Sequence, residues 1–189
     1  MSDEIVIISP ELTPGAGGVA DYALRLMEYW SRRDRLKVLV PKKGWKPTDS
    51  LPYRVEELGC NTAAISEQLP PKRGKILVHY SAYGFDRIGY PRHLIKALLN
   101  WKAKRRGLLV ILFHEIWTVW PALNKNAVVQ FFHRRAIKQL VIQADAVFTT
   151  TQSQADYLNE FGAAGSVQVL PVGSNIGRND SADFPRQSG

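Results

Sequence analysis

Residues 5–26 combine three patterns that few folds accommodate together. A short apolar run at 5–8 enters a loop with two prolines, three glycines follow within four residues, and an amphipathic helical pattern begins at Gly18. Glycines carry no Cβ, so a ligand can approach their backbone, and the N–H groups at a helix N-terminus attract anions. A strand, a glycine loop and a helix in this order predict a phosphate-binding turn in an α/β fold.

Apolar runs and helical patterns continue to alternate along the chain. Strands are expected at 4–9, 36–40, 53–58, 75–79, 108–114, 146–151 and 167–172, and helices at 18–33, 62–68, 91–106, 125–143 and 152–161. Several of the strands are apolar throughout, which is typical of parallel strands covered on both faces. We therefore predict an α/β, three-layer Rossmann-like domain whose sheet is mostly parallel, doubly wound and about seven-stranded.

The predicted domain occupies residues 1–175, and we expect residues 176–189, which have almost no apolar side chain, to be a disordered tail. The single cysteine, Cys60, rules out an internal disulfide, and no CxxC or Cys/His cluster offers a structural zinc site. No apolar run reaches the ~18–20 residues that cross a bilayer. We expect a cytoplasmic protein that uses no metal.

The net charge of +8 is concentrated in basic clusters at 32–35, 91–106 and 133–135. Such clusters suit nucleic acid, anionic lipid or an anionic small molecule, or they are simply solvated. Because no aromatic side chains interleave with these charges in the pattern that stacks bases, we expect no nucleic-acid partner.

Polar and aromatic side chains follow the predicted strands where ligands collect in parallel sheets, at the carboxyl ends. His79 ends the fourth strand, and His114 with Glu115 ends the fifth. Five aromatic residues lie on the loops beside the histidines: Tyr80, Tyr83, Phe85, Trp117 and Trp120. We therefore predict a functional site at this edge of the sheet.

Four sequence motifs occur in order over residues 5–175: GGVADYALRL, VHYSAYGF with GYP shortly after, FHEIW, and ADAVFTTTQSQADYL. Together they resemble the amino-terminal half of GT-B glycosyltransferases, specifically the large retaining family 4. The resemblance implies the acceptor-binding half of a GT-B fold. It also implies a nucleotide-sugar donor, a polysaccharide or lipid-linked sugar acceptor, and no cofactor.

In that family the carboxy-terminal domain holds the nucleotide-sugar through two glutamates eight positions apart, a separation that no two glutamates of this chain have. We therefore expect half an enzyme that is inactive alone. The alternatives are a non-catalytic subunit that pairs with a separate donor-binding chain, and an NADP-binding Rossmann module.

Gly17 and Gly18 match the family's glycine pair that approaches the donor diphosphate, and the alternative is a tight turn that admits a helix. Gly15, Gly17 and Ala20 also fit the G-x-G-x-x-A pattern of dinucleotide-binding proteins. Against that interpretation, a long loop precedes the glycines and the second strand ends in lysines instead of an acid.

Family members often carry a histidine at one of these strand ends that meets the donor sugar or the acceptor. We therefore assign catalytic roles to His79, His114 and Glu115, with the carboxylate of Glu115 setting the tautomer and charge of His114. No covalent role is assigned to Glu115. The alternative is that both histidines are satisfied structural groups.

Predicted acceptor- or sugar-binding residues are Asp21, Tyr22, Tyr80, Tyr83 and Trp117. The favoured role of Asp21 is to orient the glycine loop by accepting backbone N–H bonds. The aromatic residues either stack on sugar rings or close loops over the core. The basic helix at 91–106 either packs on the core or makes a peripheral contact with the inner face of a membrane, as the resemblance allows.

Overall fold

The computed structural model describes residues 4–15, 17–42, 51–71, 74–105, 107–116, 126–163 and 165–171. Within these ranges the chain forms seven strands: β1 Ile5–Ile8, β2 Leu36–Val40, β3 Arg54–Glu57, β4 Lys75–Ser81, β5 Leu108–Glu115, β6 Ala146–Thr149 and β7 Gln168–Val169. Six helices alternate with them: α1 Gly18–Ser31, α2 Thr62–Gln68, α3 Ala82–Phe85, α4 Arg92–Arg105, α5 Asn126–Gln143 and α6 Gln152–Asn159.

The seven strands form one parallel sheet in the order β3-β2-β1-β4-β5-β6-β7. The chain winds outward from β1 to β3, returns to place β4 beside β1, and then winds outward in the other direction. The winding direction therefore changes between β1 and β4, where doubly wound sheets open a crevice for ligands. The predicted Rossmann-like α/β class is confirmed.

Helices cover both faces because side chains alternate between the two sides of a strand. On one face, Ala23 and Met27 of α1 pack with Ile7, Val38 and Leu77. On the other face, a larger core joins the sheet to α2, α4, α5 and α6.

The apolar side of α4 belongs to this larger core. Leu94, Ile95 and Leu98 are at most 2% exposed, and Trp101 donates its indole N–H to the carbonyl of Pro70 at 2.7 Å. Packing on the core, the first of the two alternatives for this helix, is confirmed. Its apolar side is not available to a membrane.

The element boundaries differ from the predicted ones mainly at the functional edge. β2 and α2 coincide with the predicted ranges 36–40 and 62–68. β4 extends past His79 to Ser81, and β5 extends past His114 to Glu115, so both histidines lie within strands. The short helix α3 was not predicted.

Two further observations concern the chain as a whole. None of the helices in the described ranges is both long and apolar enough to span a membrane. Among the same residues, no three His, Cys, Asp or Glu side chains converge as ligands for a metal ion. The predicted tail at 176–189 lies outside the described residues.

Candidate functional site

The glycine turn lies exposed between β1 and α1. Gly15 has a φ of +74°, a left-handed conformation that an L side chain rarely adopts. Its N–H donates to Oδ1 of Asp21 at 3.0 Å. This contact confirms the predicted loop-orienting role of Asp21, and it ties the turn to the first turn of α1.

The helix N-terminus beside this turn is open. Gly17 occupies the N-cap position and offers no side-chain acceptor, and the first helical bond runs from the N–H of Asp21 to the carbonyl of Gly17 at 3.1 Å. The backbone N–H groups just before Asp21 therefore have no partner within the helix. A Cβ placed on Gly17 or Gly18 would meet nothing within 4 Å. Packing of the described residues thus does not require glycine at either position.

His79 and His114 lie side by side at the carboxyl edge of the sheet. Nδ1 of His79 and Nε2 of His114 are 3.1 Å apart, and the two ring planes are within 18° of each other. His79 is 0% exposed and His114 is 8% exposed. The edge of this pair contacts Tyr22 of α1, whose ring centroid is 6.0 Å from that of His79 and 5.8 Å from that of His114.

The register of β4 against β5 shifts just beyond His79. The pairing of β4 with β5 passes from Tyr80 opposite Phe113 directly to Ser81 opposite Glu115, so His114 has no partner residue on β4. His79 lies opposite Leu112, and His114, two residues further along β5, has its side chain on the same face of the sheet and meets His79.

Burial keeps both imidazoles neutral. It lowers the pKa of His79 to about 3, with the nearby His114 adding to the effect, and it lowers the pKa of His114 to about 4. A neutral imidazole has one donor and one acceptor nitrogen. One proton therefore lies between the two rings, while Nε2 of His79 is buried without a hydrogen-bond partner among the described residues.

Glu115 does not support His114. Its Oε2 accepts a hydrogen bond from the hydroxyl of Ser81 at 3.2 Å. The described residues contain no contact between this carboxylate and the ring of His114, so the predicted support of His114 by Glu115 is not formed. The ring of His79 is the partner instead.

Tyr80 lies on the opposite face of the sheet. It is 0% exposed, and its hydroxyl is 2.7 Å from Nε2 of His133 on α5. Burial raises the pKa of Tyr80 well above its usual value and lowers that of His133 to about 4, so the hydroxyl donates to a neutral imidazole. The prediction that Tyr80 binds a sugar is wrong, since its ring is enclosed in the core.

The remaining aromatic candidates are distributed differently. Tyr83 on α3 is 43% exposed and lies against Gly89. Phe85 packs on the core beside Tyr80. Trp117 and Trp120 lie outside the described residues.

Sequence reasoning missed two supporting residues. The amide of Gln154 donates to the backbone carbonyl of His114 at 3.4 Å and accepts from the hydroxyl of Thr149. No motif marks Gln154. His133 was noted only as part of a basic cluster, although its helical spacing from Ile137 and Leu140 places it on the buried side of α5.

One surface depression lies away from this edge, between α5 and α6. Its lining is Phe131, Arg134, Arg135, Lys138, Glu160 and Phe161, and none of the predicted site residues takes part. It is wide open, and the guanidinium of Arg134 already stacks over the rings of Tyr157 and Phe161 at 5.4 and 5.7 Å. We therefore place the candidate site at the glycine turn and the histidine pair.

A doubly wound parallel sheet with an open glycine turn at its carboxyl edge is the architecture of one half of a GT-B glycosyltransferase. The chain matches the model of Glycosyltransferase Family 4 over residues 16–178, and it belongs to that family. A search of curated proteins finds no match.

Among solved structures, the chain is similar to an alpha-glucosyltransferase in complex with UDP and a 13-mer DNA containing a HMU base. The TM-score is 0.53 at 11% sequence identity, and the match covers 90% of this chain and 43% of that chain. At that identity the likeness shows the fold alone. The chain spans less than half the length of the structure that it resembles.

Proposed function

We propose that this chain is the acceptor-binding half of a retaining, nucleotide-sugar-dependent glycosyltransferase. The observation that carries the proposal is the family match over residues 16–178, which includes Gly17 and Gly18 of the glycine turn and the histidine pair. A cytoplasmic location and a role in polysaccharide or lipid-linked sugar synthesis fit this proposal.

The glycine turn would approach the diphosphate of the donor across the cleft. Sugar transfer develops negative charge on the leaving diphosphate, and fixed backbone N–H groups stabilise that charge without reorganising. The N–H groups before Asp21, which have no partner within the helix, and the open space at Gly17 and Gly18 support this role. No cofactor or metal is needed for it.

The histidine pair and Tyr22 would form the sugar-facing wall beside this turn. Neutral imidazoles suit sugar hydroxyls because each ring offers one donor and one acceptor. Of the two histidines, only His114 retains any exposure, so it is the one that would touch a ligand. Asp21 would act indirectly, through its bond to Gly15.

A titration with UDP tests the diphosphate contact. We expect UDP to shift the backbone amide NMR signals of Gly17 and Gly18, with weak affinity because this half lacks the family's glutamate pair. Gly18→Ala should weaken binding at least several-fold, because the new methyl group keeps the diphosphate away from the backbone.

Gly165→Ala is the matched control, since Gly165 is also exposed and also has open space at its Cβ position. Binding that both variants retain would contradict a contact at the glycine turn. An arm with NADPH tests the alternative of a dinucleotide module. Tight NADPH binding together with no response to UDP would favour that module instead.

An assay of the chain alone tests the half-enzyme proposal. We expect no hydrolysis or transfer of a nucleotide-sugar, because this chain lacks the glutamate pair with which the family holds the donor. Turnover at a rate of about 1 per second or faster, which is ordinary for enzymes, would contradict it. Co-purification with a separate donor-binding chain would favour the subunit alternative over a chain that carries both halves.

We further propose that α5, not α4, makes the peripheral membrane contact. Val128, Phe131 and Phe132 on its outer side are 63%, 64% and 51% exposed. Arg135 and Lys138 lie exposed on the same helix. Exposed aromatic rings beside cationic side chains match an anionic bilayer surface, into which the rings insert while the charges pair with headgroups.

Co-sedimentation with vesicles tests this contact. The chain should bind vesicles rich in phosphatidylglycerol and not those of phosphatidylcholine alone, and replacing Phe131 and Phe132 together by serine should abolish binding. Ile88→Ser is the control, because Ile88 is 62% exposed and does not lie on α5. Equal binding by the two variants, or none by the unmodified chain, would refute the contact.

A further inference from the structure

The bond between His79 and His114 determines more than the packing of two rings. Because both imidazoles are neutral, the 3.1 Å contact between Nδ1 of His79 and Nε2 of His114 requires one nitrogen to carry the proton and the other to accept it. The choice made at this bond also fixes the second nitrogen of each ring. In particular, it decides whether Nδ1 of His114 bears a proton.

The surroundings of the pair hold the two rings in one geometry. His79 is 0% exposed, and its Nε2 has no hydrogen-bond partner among the described residues. The bond from its Nδ1 to His114 is therefore the one side-chain hydrogen bond that the described residues give it. Breaking that bond would leave a further buried polar atom unsatisfied, which is costly because the lost partner cannot be replaced by water. The ring of Tyr22 contacts both imidazoles and restrains them further.

We propose that His79 is a positioning residue that locks His114 in a single neutral tautomer and ring orientation. Its consequence rests on the proposed function: Nδ1 of His114 presents to a bound sugar hydroxyl either a proton or a lone pair, always the same one. His79 itself is enclosed and does not touch the ligand.

Nitrogen NMR of the uniformly ¹⁵N-labelled chain tests the lock directly. We expect a scalar coupling across the N–H···N bond between Nδ1 of His79 and Nε2 of His114, and ¹⁵N shifts of His114 that correspond to one tautomer. The coupling also identifies which ring donates. Averaged shifts typical of exchanging tautomers, or no coupling, would overturn the proposal in the unmodified protein.

Two variants separate positioning from mere filling of space. The amide of His79→Asn occupies the region of Nδ1 and should keep His114 in a single tautomer, whereas His79→Leu fills a similar volume without a partner and should leave two tautomers. Tyr80→Phe is the control, because it removes the buried hydrogen bond between Tyr80 and His133 on the opposite face of the sheet. An unchanged single tautomer in folded His79→Leu would overturn the proposal.

This test is independent of the proposed function, since it requires no ligand. If His114 has a single tautomer but UDP does not bind, the positioning role stands and the proposed glycosyltransferase function fails. If His79→Leu does not fold, the coupling and the shifts of the unmodified protein still decide the matter.

Discussion

At the residue scale, three histidines are buried and each makes a single side-chain bond to another ring. His79 and His114 pair on the α1 face, and His133 accepts from Tyr80 on the other face. Polar groups of this kind contribute little when satisfied and cost much when one partner is removed. The Tyr80–His133 pair therefore ties α5 to the sheet, and the His79–His114 pair ties β4 to β5.

Tyr80→Phe should destabilise the fold by about 1–3 kcal/mol, because Nε2 of His133 is left buried without a donor. Urea unfolding measures the loss. The double variant Tyr80→Phe with His133→Leu should recover much of it, since both polar partners are then gone. The control Tyr29→Phe, at an exposed position of α1, should leave the free energy of unfolding almost unchanged. A single variant as stable as the unmodified chain would show that the hydroxyl bond contributes nothing.

At the scale of elements, α1 combines stability with an open N-terminus. Its inner side is anchored by Ala20, Ala23 and Met27, all 0% exposed. Its first residues are glycines that cost helix stability and leave the N–H groups accessible. α2 and α6 begin differently, because the side chains of Asn61 and Thr151 cap them. α1 and α3 both begin without a side-chain cap, and α1 does so at glycine.

Gly18→Ala should stabilise the protein by up to ~1 kcal/mol, because alanine favours the helix and its methyl group meets no neighbour. Thermal unfolding should show a higher Tm for the variant that binds UDP less well. A lower Tm would mean that Gly18 is required by the fold rather than by a ligand.

Gly15→Ala should act in the opposite direction. At a φ of +74° a side chain is strained, and we expect a loss of about 1–2 kcal/mol. Urea unfolding measures it. Gly165→Ala, which has no positive φ, should stay within about 0.5 kcal/mol of the unmodified chain. Equal effects of the two variants would argue against strain at Gly15.

At the scale of the whole molecule, the three buried histidines make stability depend on pH. Their folded pKa values of about 3, 4 and 4 lie below the unfolded value near 6.5, so the unfolded chain binds more protons in between. Stability is therefore complete above about pH 6.5 and falls as the pH drops towards 4, reaching its minimum below the folded pKa values.

Within this window, each histidine should make the free energy of unfolding rise with pH by up to about 1.4 kcal/mol per pH unit. Urea unfolding at pH 7.5, 6.0 and 5.0 measures the sum. The double variant Tyr80→Phe with His133→Leu should lose roughly one third of the slope, since one of three groups is removed. A slope that is absent, or identical in the variant, would contradict neutral burial of these histidines.

Much of the fold could be predicted from the sequence. Apolar runs, glycine and proline positions and helical spacing are local patterns, and they gave β2 and α2 at their observed bounds and the seven strands in chain order. Asp21 was correctly expected to orient the loop, because capping contacts span only a few residues.

The composition of the site could be predicted only in part. The edge of the sheet was identified, but Tyr80 was expected on a loop beside the histidines and Glu115 was expected to contact His114. Both residues lie where β4 and β5 run past their predicted ends. There, strand alternation turns Tyr80 away from His79, and the register shift sets Glu115 opposite Ser81.

The sequence by itself determined the α/β class, the order of the elements and the open glycine turn, because each depends on the conformational preferences of neighbouring residues. Only the tertiary structure decided that His79 meets His114, that His133 meets Tyr80, and that α4 buries its apolar side. The two histidine contacts join residues 35 and 53 positions apart. All of these contacts depend on the register of β4 against β5 and on which face each helix covers.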